Sequence, residues 1–224
     1  MNTKCELPNT GPYDGAFGYH PLIPESIREI FMWLCQDVAS LHDKWHFYLE
    51  LFTSVDSTRL LSELAPDSFI IVKEALCIDL TVAICRLSDP PLTGKHRNLS
   101  FRTLLGECDD IDGTNRMLED FLAACEPVRQ FMHKQMREND LDITLEPDEN
   151  PLPGIGRSQV DEILGLADRM LNVICQEYDN SVLIFRPYLT SGADVLLHWL
   201  ELAKQAEEGV PEDDRDEVGG AEKH

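Results

Sequence analysis

The chain is poor in basic residues, with 19 lysines and arginines against 41 aspartates and glutamates among its 224 residues, a formal net charge of -22. A surface this acidic repels duplex DNA and anionic membranes, so neither is an expected partner. The chain also lacks an uncharged apolar stretch of the roughly 18 residues that indicate a transmembrane helix. Residues 1–20 lack the apolar region of a secretory signal, and cytoplasmic localisation is therefore expected.

Motifs for nucleotide binding and nucleophilic catalysis are missing as well. The patterns GxxxxGK[ST], GxGxxG after a strand and GxSxG do not occur. The 7 cysteines form no CxxC, and most of them fall within apolar runs at helical spacing. This pattern predicts free thiols packed in a core, in a reducing compartment, and no cofactor.

The composition predicts one folded region with two extensions. Hydrophobic residues make up 43% of the chain, which is enough to build a core. Residues 1–23 contain several prolines and glycines and are predicted to form an arm, followed by a helical domain over residues 24–206. Residues 207–224 hold eight acids and two bases with almost no large apolar side chain. We expect them to be a disordered acidic tail.

Apolar residues recur at three- and four-residue steps over most of the domain, which predicts an all-α bundle of about five or six helices. One stripe runs from Glu25 to Phe52. The stretch from Phe69 to Leu87 is apolar nearly all round, which is typical of the central helix of a bundle. A strand is the alternative over residues 70–72, although the length of the stretch favours a helix. Asp89-Pro90-Pro91 should end it.

Further helices are predicted over about 114–138, 160–178 and 191–206. Serines at the starts of helices accept hydrogen bonds from exposed backbone N–H groups. We therefore predict Ser57, Ser100 and Ser158 as N-caps. LTGKHRN, after the two prolines, reads as a polar loop, and SVLIFRPYL is ambiguous between a short strand and irregular chain.

Two histidines, His42 and His46, are four residues apart and so share one helix face. That spacing can bind zinc and is similar to the zinc-protease pattern, with Asp43 in the place of the glutamate. The favoured interpretation is that the histidines flank a buried Trp45, because no third ligand is evident. Near the end of the apolar stretch, Arg86 is predicted to form a structural ion pair with Asp89. The alternative is that Arg86 lines a phosphate-binding cleft.

The stretch from Val128 to Arg137 concentrates positive charge. Arg129, His133 and Arg137 are spaced so that an α-helix places them on one face, beside Lys134. Such a face can bind phosphates, and an imidazole can transfer protons near neutral pH. The alternative is a basic helix face that pairs with the surplus acids. Further residues that we predict on the same basic surface are Lys95, His96, Arg97 and Arg102.

The stretch CIDLTVAICRLSDPPLTGKHRNLSFRTLL, residues 77–105, resembles the HEPN-like family of abortive-infection U-type proteins. The clearest similarity is Arg86-Leu87-Ser88-Asp89-Pro90 followed by Asn98-Leu99-Ser100, and the resemblance extends over roughly residues 25–206. It implies a helical bundle that is commonly dimeric. Many members are metal-independent endoribonucleases of phage defence or toxin–antitoxin systems.

The family's hallmark is an arginine, a polar residue that is often asparagine, and a histidine four to six residues further on. The matching positions here hold Met132, His133 and Glu138, and only Lys134 agrees with the pattern. Arg129 and His133 are one residue closer than that spacing and lie about one turn earlier. The resemblance therefore implies either a lapsed active site or a shifted one built from Arg129 and His133. Its RNA-binding candidates are Lys134, Arg137, Arg97 and Arg102.

Together these patterns predict a cytoplasmic, homodimeric HEPN-like protein that binds RNA or protein in defence and has lost the usual catalytic pair. Three alternatives stay open. The first is an active metal-independent endoribonuclease that uses Arg129 and His133. The second is a zinc hydrolase that uses His42 and His46. The third is a protein-interaction module whose acidic tail mimics nucleic acid or docks on a basic partner, and the possible protein partner is antitoxin-like or regulatory.

Overall fold

The computed structural model describes residues 22–108, 111–137, 156–185 and 192–208, and for residues 135–137 it describes the backbone alone. The chain divides into two compact units. The first comprises the described residues from Leu22 to His42 and from Asp79 to Phe185. The second comprises Asp43–Ile78 and the described residues from Gly192 onward. Most of the arm predicted over residues 1–23, and the chain beyond residue 208, lie outside the described residues.

Helices dominate the described chain, and the predicted all-α class is confirmed. These ranges contain seven α-helices, where the sequence predicted about five or six: α1 Glu25–Phe52, α2 Val55–Leu64, α3 Pro66–Leu87, α4 Phe101–Glu107, α5 Thr114–Phe131, α6 Arg157–Asp179 and α7 Ala193–Glu208. A π-helical turn, Met132–Arg137, continues α5. Among the described helices, none is long and apolar enough to cross a membrane.

The helix starts only partly follow the serines that the sequence singled out. Ser100 is confirmed as an N-cap, because its hydroxyl accepts the N–H of Thr103 at 3.3 Å. The prediction for Ser57 is wrong: Ser54 caps α2, and Ser57 is the residue whose N–H it accepts, at 3.0 Å. Helix α6 begins at Arg157 after Gly156, so Ser158 lies within its first turn.

The core of the first unit is built from one face each of α1, α4, α5 and α6, together with the C-terminal part of α3. Phe101 of α4 and Phe121 of α5 meet edge to face, with ring centroids 5.0 Å apart. Both rings are fully buried. Five of the side chains that α1 buries in this unit belong to the predicted stripe: Ile27, Phe31, Leu34, Val38 and Leu41. Cys35 and Ala39 are buried as well, although the stripe did not include them. The periodicity of α1 thus sets which face it buries.

The polar loop after α3 contains a short hairpin that the sequence did not predict. Strand β1, Leu92–Thr93, pairs antiparallel with β2, His96–Arg97. Gly94 has a positive φ of 62°, which suits a residue without Cβ at the turn. Asn98 closes the hairpin by donating from Nδ2 to the carbonyl of Pro90 at 2.7 Å. This closure anchors the chain that leaves α3.

The second unit packs around a small apolar cluster. Leu51, Leu61 and Ala193, from α1, α2 and α7, are buried there. Partly buried hydrophobic residues pack against them: Phe47, Phe52, Phe69, Leu197 and Leu200. Lys204 of α7 also forms an ion pair with Glu63 of α2, with 2.5 Å between Nζ and Oε2. The described part of α7 is therefore attached to α2 by apolar and ionic contacts.

Helix α3 is correctly predicted as a helix and not a strand, but the prediction that it is a buried central helix is wrong. Its C-terminal part buries Leu80, Ile84 and Leu87. In contrast, Ile71 is 65% exposed and Ile78 is 48% exposed. The helix is apolar all round because it has a second apolar face, which lies at the surface of the molecule.

Candidate nucleic-acid interface

Arg129, in the last turn of α5, reaches across to the end of α3. Its Nη1 donates to the carbonyl of Cys85 at 2.9 Å, to Oγ of Ser88 at 3.1 Å and to Oδ1 of Asp89 at 2.9 Å. The last carbonyls of a helix lack intrahelical donors and carry partial negative charge. The guanidinium adds a charged donor to one of them, the carbonyl of Cys85, and neutralises Asp89. The end of α3 therefore fixes the position of Arg129.

This arrangement gives Asp89 a different partner from the one predicted. Asp89 pairs with Arg129, 40 residues away, and not with Arg86. Arg86 is exposed and forms no ion pair within the part of the chain that the structure describes. The structural ion pair predicted for Arg86 and Asp89 is therefore wrong. Arg86 instead matches the alternative, a side chain that lines a cleft.

An open groove of about 470 Å³ lies beside the Arg129–Asp89 pair. The residues that line it are Val82, Cys85, Arg86, Asp89, Glu126, Arg129, Gln130, Met132, His133 and Lys134. Three of these residues are permanent cations and one is a histidine, against two carboxylates. We call this feature the basic groove. It collects positive charge on a chain whose formal net charge is -22.

The π-helical turn contributes three consecutive residues, Met132, His133 and Lys134, to the groove. The N–H of Met132, the first residue of this turn, bonds to the carbonyls of both Val128 and Arg129. Wider π-helical turns of this kind are frequent at functional sites. Arg129 and His133 do line one groove, as their spacing predicts. The backbone of Arg137 belongs to the turn, but its side chain lies outside the described residues.

Two predicted RNA-binding residues do not line the basic groove. Arg97, on β2, forms an ion pair with Glu107 at the end of α4. Arg102 is exposed on α4, and Lys95 and His96 are exposed on the hairpin. The structure therefore brings together the positive groups of α3, α5 and the π-turn. It does not bring those of the hairpin and α4 into the same groove.

Thiol chemistry is not favoured here. Burial raises the pKa of Cys85 to about 11, although the nearby charge of Arg129 acts in the opposite direction. Burial likewise raises the pKa of Cys125 to about 12. A thiol is nucleophilic as its thiolate, so both cysteines stay protonated and inert at neutral pH. None of the six cysteines within the described residues forms a disulfide bond, and Cys5 lies outside them.

The two histidines of the zinc hypothesis contact separate carboxylates. His42 Nε2 lies 2.8 Å from Oδ1 of Asp168, and its ring stacks on Phe185. His46 Nε2 lies 3.0 Å from Oε1 of Glu50. Trp45, between them, is buried at 8% exposure. No group of three or more metal-ligating side chains occurs in the ranges that the structure describes.

Sequence reasoning missed Glu126, which lines the groove, and the role of Ser88, which bonds to Arg129 beside it. Ser88 is buried and its hydroxyl is held by the carbonyls of Ile84 and Cys85, so that it accepts from Arg129. No local signal marks this role, because it depends on a contact between α3 and α5. Comparison of the chain with protein-family models, curated proteins and solved structures finds no match.

Proposed function

We propose that this protein is a cytoplasmic, HEPN-like protein of a defence system that binds the phosphates of single-stranded RNA in the basic groove and does not cleave them. The observation that carries this proposal is the convergence of Arg86, Arg129, His133 and Lys134 around one open groove. Cations collected on an otherwise acidic chain provide a local site for a polyanion. The family resemblance supplies the expectation of a homodimer and of RNA as the polyanion.

Within the groove, the cations have different roles. Nη1 of Arg129 is fully engaged by Cys85, Ser88 and Asp89. Its remaining N–H groups have no acceptor among the described residues and can donate to a phosphate. Arg86 and Lys134 are exposed and without ion pairs there. They are therefore available to neutralise phosphates. A flexible single strand can bend into such a groove more readily than a stiff duplex can.

The ion pair of Arg129 with Asp89 is the reason for proposing RNA binding without cleavage. A catalytic arginine must direct its charge at the scissile phosphate as negative charge develops there. Here the carboxylate of Asp89, 2.9 Å away, already offsets that charge. Arg129 is therefore suited to shape the groove and contact a phosphate, while Arg86 and Lys134 supply most of the binding energy.

RNA binding is tested by fluorescence anisotropy with a labelled single-stranded oligoribonucleotide and the Arg86→Gln/Lys134→Gln double variant. We expect affinity to fall about tenfold, and the slope of log Kd against log salt to fall by about 0.7 for each cation removed. The matched control is Arg59→Gln, which removes an exposed arginine from the second unit. Equal affinities of the double variant and the wild type, or no RNA binding by the wild type, would contradict the proposal.

An active metal-independent endoribonuclease is the second candidate, favoured by the position of Arg129 and His133 in one groove. His133 would accept the 2′-hydroxyl proton while Arg129 contacts the phosphate. Incubating total RNA with the protein in EDTA, beside His133→Ala, separates the two candidates. The binding proposal predicts intact RNA with both proteins. RNA cleavage that His133→Ala abolishes, while the variant keeps its helical circular-dichroism spectrum, would instead establish the ribonuclease.

A further inference from the structure

Residues 181–185, which we call the edge segment, begin the stretch that the sequence left ambiguous between strand and irregular chain. No strand among the described residues pairs with them. Their exposure alternates: Val182 is 68% exposed and Ile184 is 66% exposed, whereas residues 181, 183 and 185 are partly buried. A period of two residues is that of an extended strand, whose successive side chains point to opposite faces. The edge segment therefore has one face toward the first unit and one toward solvent.

Helix α6 holds one edge of this segment through a single side chain, Asn172. Its Nδ2 donates to the carbonyl of Leu183 at 3.1 Å, and its Oδ1 accepts the N–H of Leu183 at 2.7 Å. Two residues that face each other in an antiparallel ladder exchange a pair of bonds in the same way. The ring of His42 also stacks on Phe185, with centroids 5.7 Å apart. The inner edge of the segment is thus paired and its position is fixed.

The outer edge of the segment has no such partner. In an extended chain the N–H and C=O groups of successive residues point to opposite edges. Because those of Leu183 point to Asn172, those of Val182 and Ile184 point away from α6. They form no hydrogen bond with any group in the part of the chain that the structure describes. Unpaired backbone groups are costly to bury, so these groups face water.

We propose that the outer edge of the edge segment binds an extended peptide of a partner protein as an added β-strand. A peptide strand supplies N–H and C=O groups at the spacing that Val182 and Ile184 require, whereas the backbone of a helix is already bonded internally. Protein edge strands commonly carry lysine or proline, which prevent such pairing. The edge segment, SVLIF, contains neither. Its two exposed side chains are β-branched and suit contacts with side chains of a neighbouring strand.

The charges around the segment indicate which peptides fit. Oδ2 of Asp179 accepts a hydrogen bond from Oγ of Ser181 at 2.9 Å, so a carboxylate lies at the first end of the segment. Arg186 follows the other end in the sequence, and the whole chain carries a formal net charge of -22. The fitting peptide therefore has a lysine or arginine at the end that meets Ser181. Between its ends it alternates polar residues with apolar residues that pack on Val182 and Ile184.

The test is an NMR titration of the isotope-labelled full chain with the peptide Lys-Thr-Val-Thr-Val-Thr-Lys, blocked at both termini. We expect saturable binding below about 1 mM, with shifts of the Val182 and Ile184 amide signals and slower hydrogen exchange of both. The amide of Leu183 is already bonded to Asn172 and should change less. The control peptide Lys-Thr-Pro-Thr-Pro-Thr-Lys has the same charge but cannot pair as a strand. It should leave these signals in place.

Two substitutions at one position separate the backbone contact from the side-chain contact. Ile184→Pro removes an outward N–H, and the extended conformation of Leu183 suits a residue that precedes proline. We expect peptide affinity to fall about tenfold, because a peptide carbonyl loses its donor. The matched control is Ile184→Thr, which loses the same isoleucine but keeps the N–H and should lose about threefold at most. Circular dichroism should show that both variants keep their helices.

Binding that is absent up to about 1 mM would overturn the proposal. Equal affinities of Ile184→Pro and Ile184→Thr, or equal amide shifts with the control peptide, would also overturn it. A wild type that binds no peptide but self-associates, and stops doing so with Ile184→Pro, would identify a second copy as the occupant and reject the partner peptide. None of these outcomes depends on RNA binding, since the proposed RNA contacts lie at Arg86 and Lys134.

Discussion

At the scale of single residues, the basic groove contains two arginines in different electrostatic surroundings. A carboxylate offsets the charge of Arg129, and none offsets that of Arg86 among the described residues. Arg129 is held at the end of α3 by a carbonyl, a hydroxyl and a carboxylate. Arg86, on the same helix end, has no ion pair among the described residues. Asp89 therefore has two opposing effects. It stabilises the contact between α5 and α3, and it reduces the positive charge that a phosphate would meet.

We expect Asp89→Asn to separate these two effects. The amide keeps an oxygen acceptor but loses the charge, so the free energy of unfolding should fall by about 1 kcal/mol, as for a partly exposed charge-assisted bond. RNA affinity should rise several-fold, because one cation is released from its counter-charge. Urea unfolding and anisotropy measure the two quantities.

The control for this substitution is Asp120→Asn, an exposed aspartate of α5 that does not line the groove. It removes the same charge from the chain and should leave both quantities almost unchanged. An Asp89→Asn variant whose stability and RNA affinity both fall would contradict the opposing roles of Asp89. It would indicate that Asp89 acts only by holding the groove in shape.

At the scale of helices, periodicity predicted most of the fold because each amphipathic helix buries the stripe that its sequence shows. Helix α1 is the clearest case: most of its buried residues in the first unit are members of that stripe, and Cys35 and Ala39 are the exceptions. The same reasoning failed for α3, since apolar content does not distinguish a buried central helix from one with an exposed second face. The prediction of Ser57 as an N-cap failed because both Ser54 and Ser57 are residues that suit a cap. Which of them caps α2 depends on backbone geometry.

The sequence predicted only those parts of the candidate site that depend on residues close together in the chain. The spacing of Arg129 and His133 placed both side chains on one side of the helix predicted over residues 114–138. The structure brings both side chains to the basic groove. The partner of Asp89 lies 40 residues away, so it depends on how α5 packs against the end of α3. The π-turn was not predictable from the spacing of apolar residues, which continues through it as in an α-helix.

At the scale of the whole molecule, the dominant property is the formal charge of -22. A folded chain confines these charges more closely than an unfolded one does, so their mutual repulsion lowers stability. The repulsion reaches further at low ionic strength, because the screening length is ~30 Å at 0.01 M salt and ~10 Å at 0.1 M. Dimerisation would bring two such charges together.

This charge predicts that sodium chloride has opposite effects on the folded chain and on its RNA complex. Between about 0.01 M and 0.1 M salt, we expect the urea midpoint to rise and the dimer to tighten, because screening relieves the repulsion among acids. RNA affinity should fall over the same range, because bound counterions are released from RNA when lysines and arginines bind it. Repeating the series with potassium chloride controls for effects of the particular salt, because screening depends on ionic strength alone. A urea midpoint that falls with salt would mean that the native ion pairs, such as Arg129–Asp89 and Lys204–Glu63, outweigh the net repulsion.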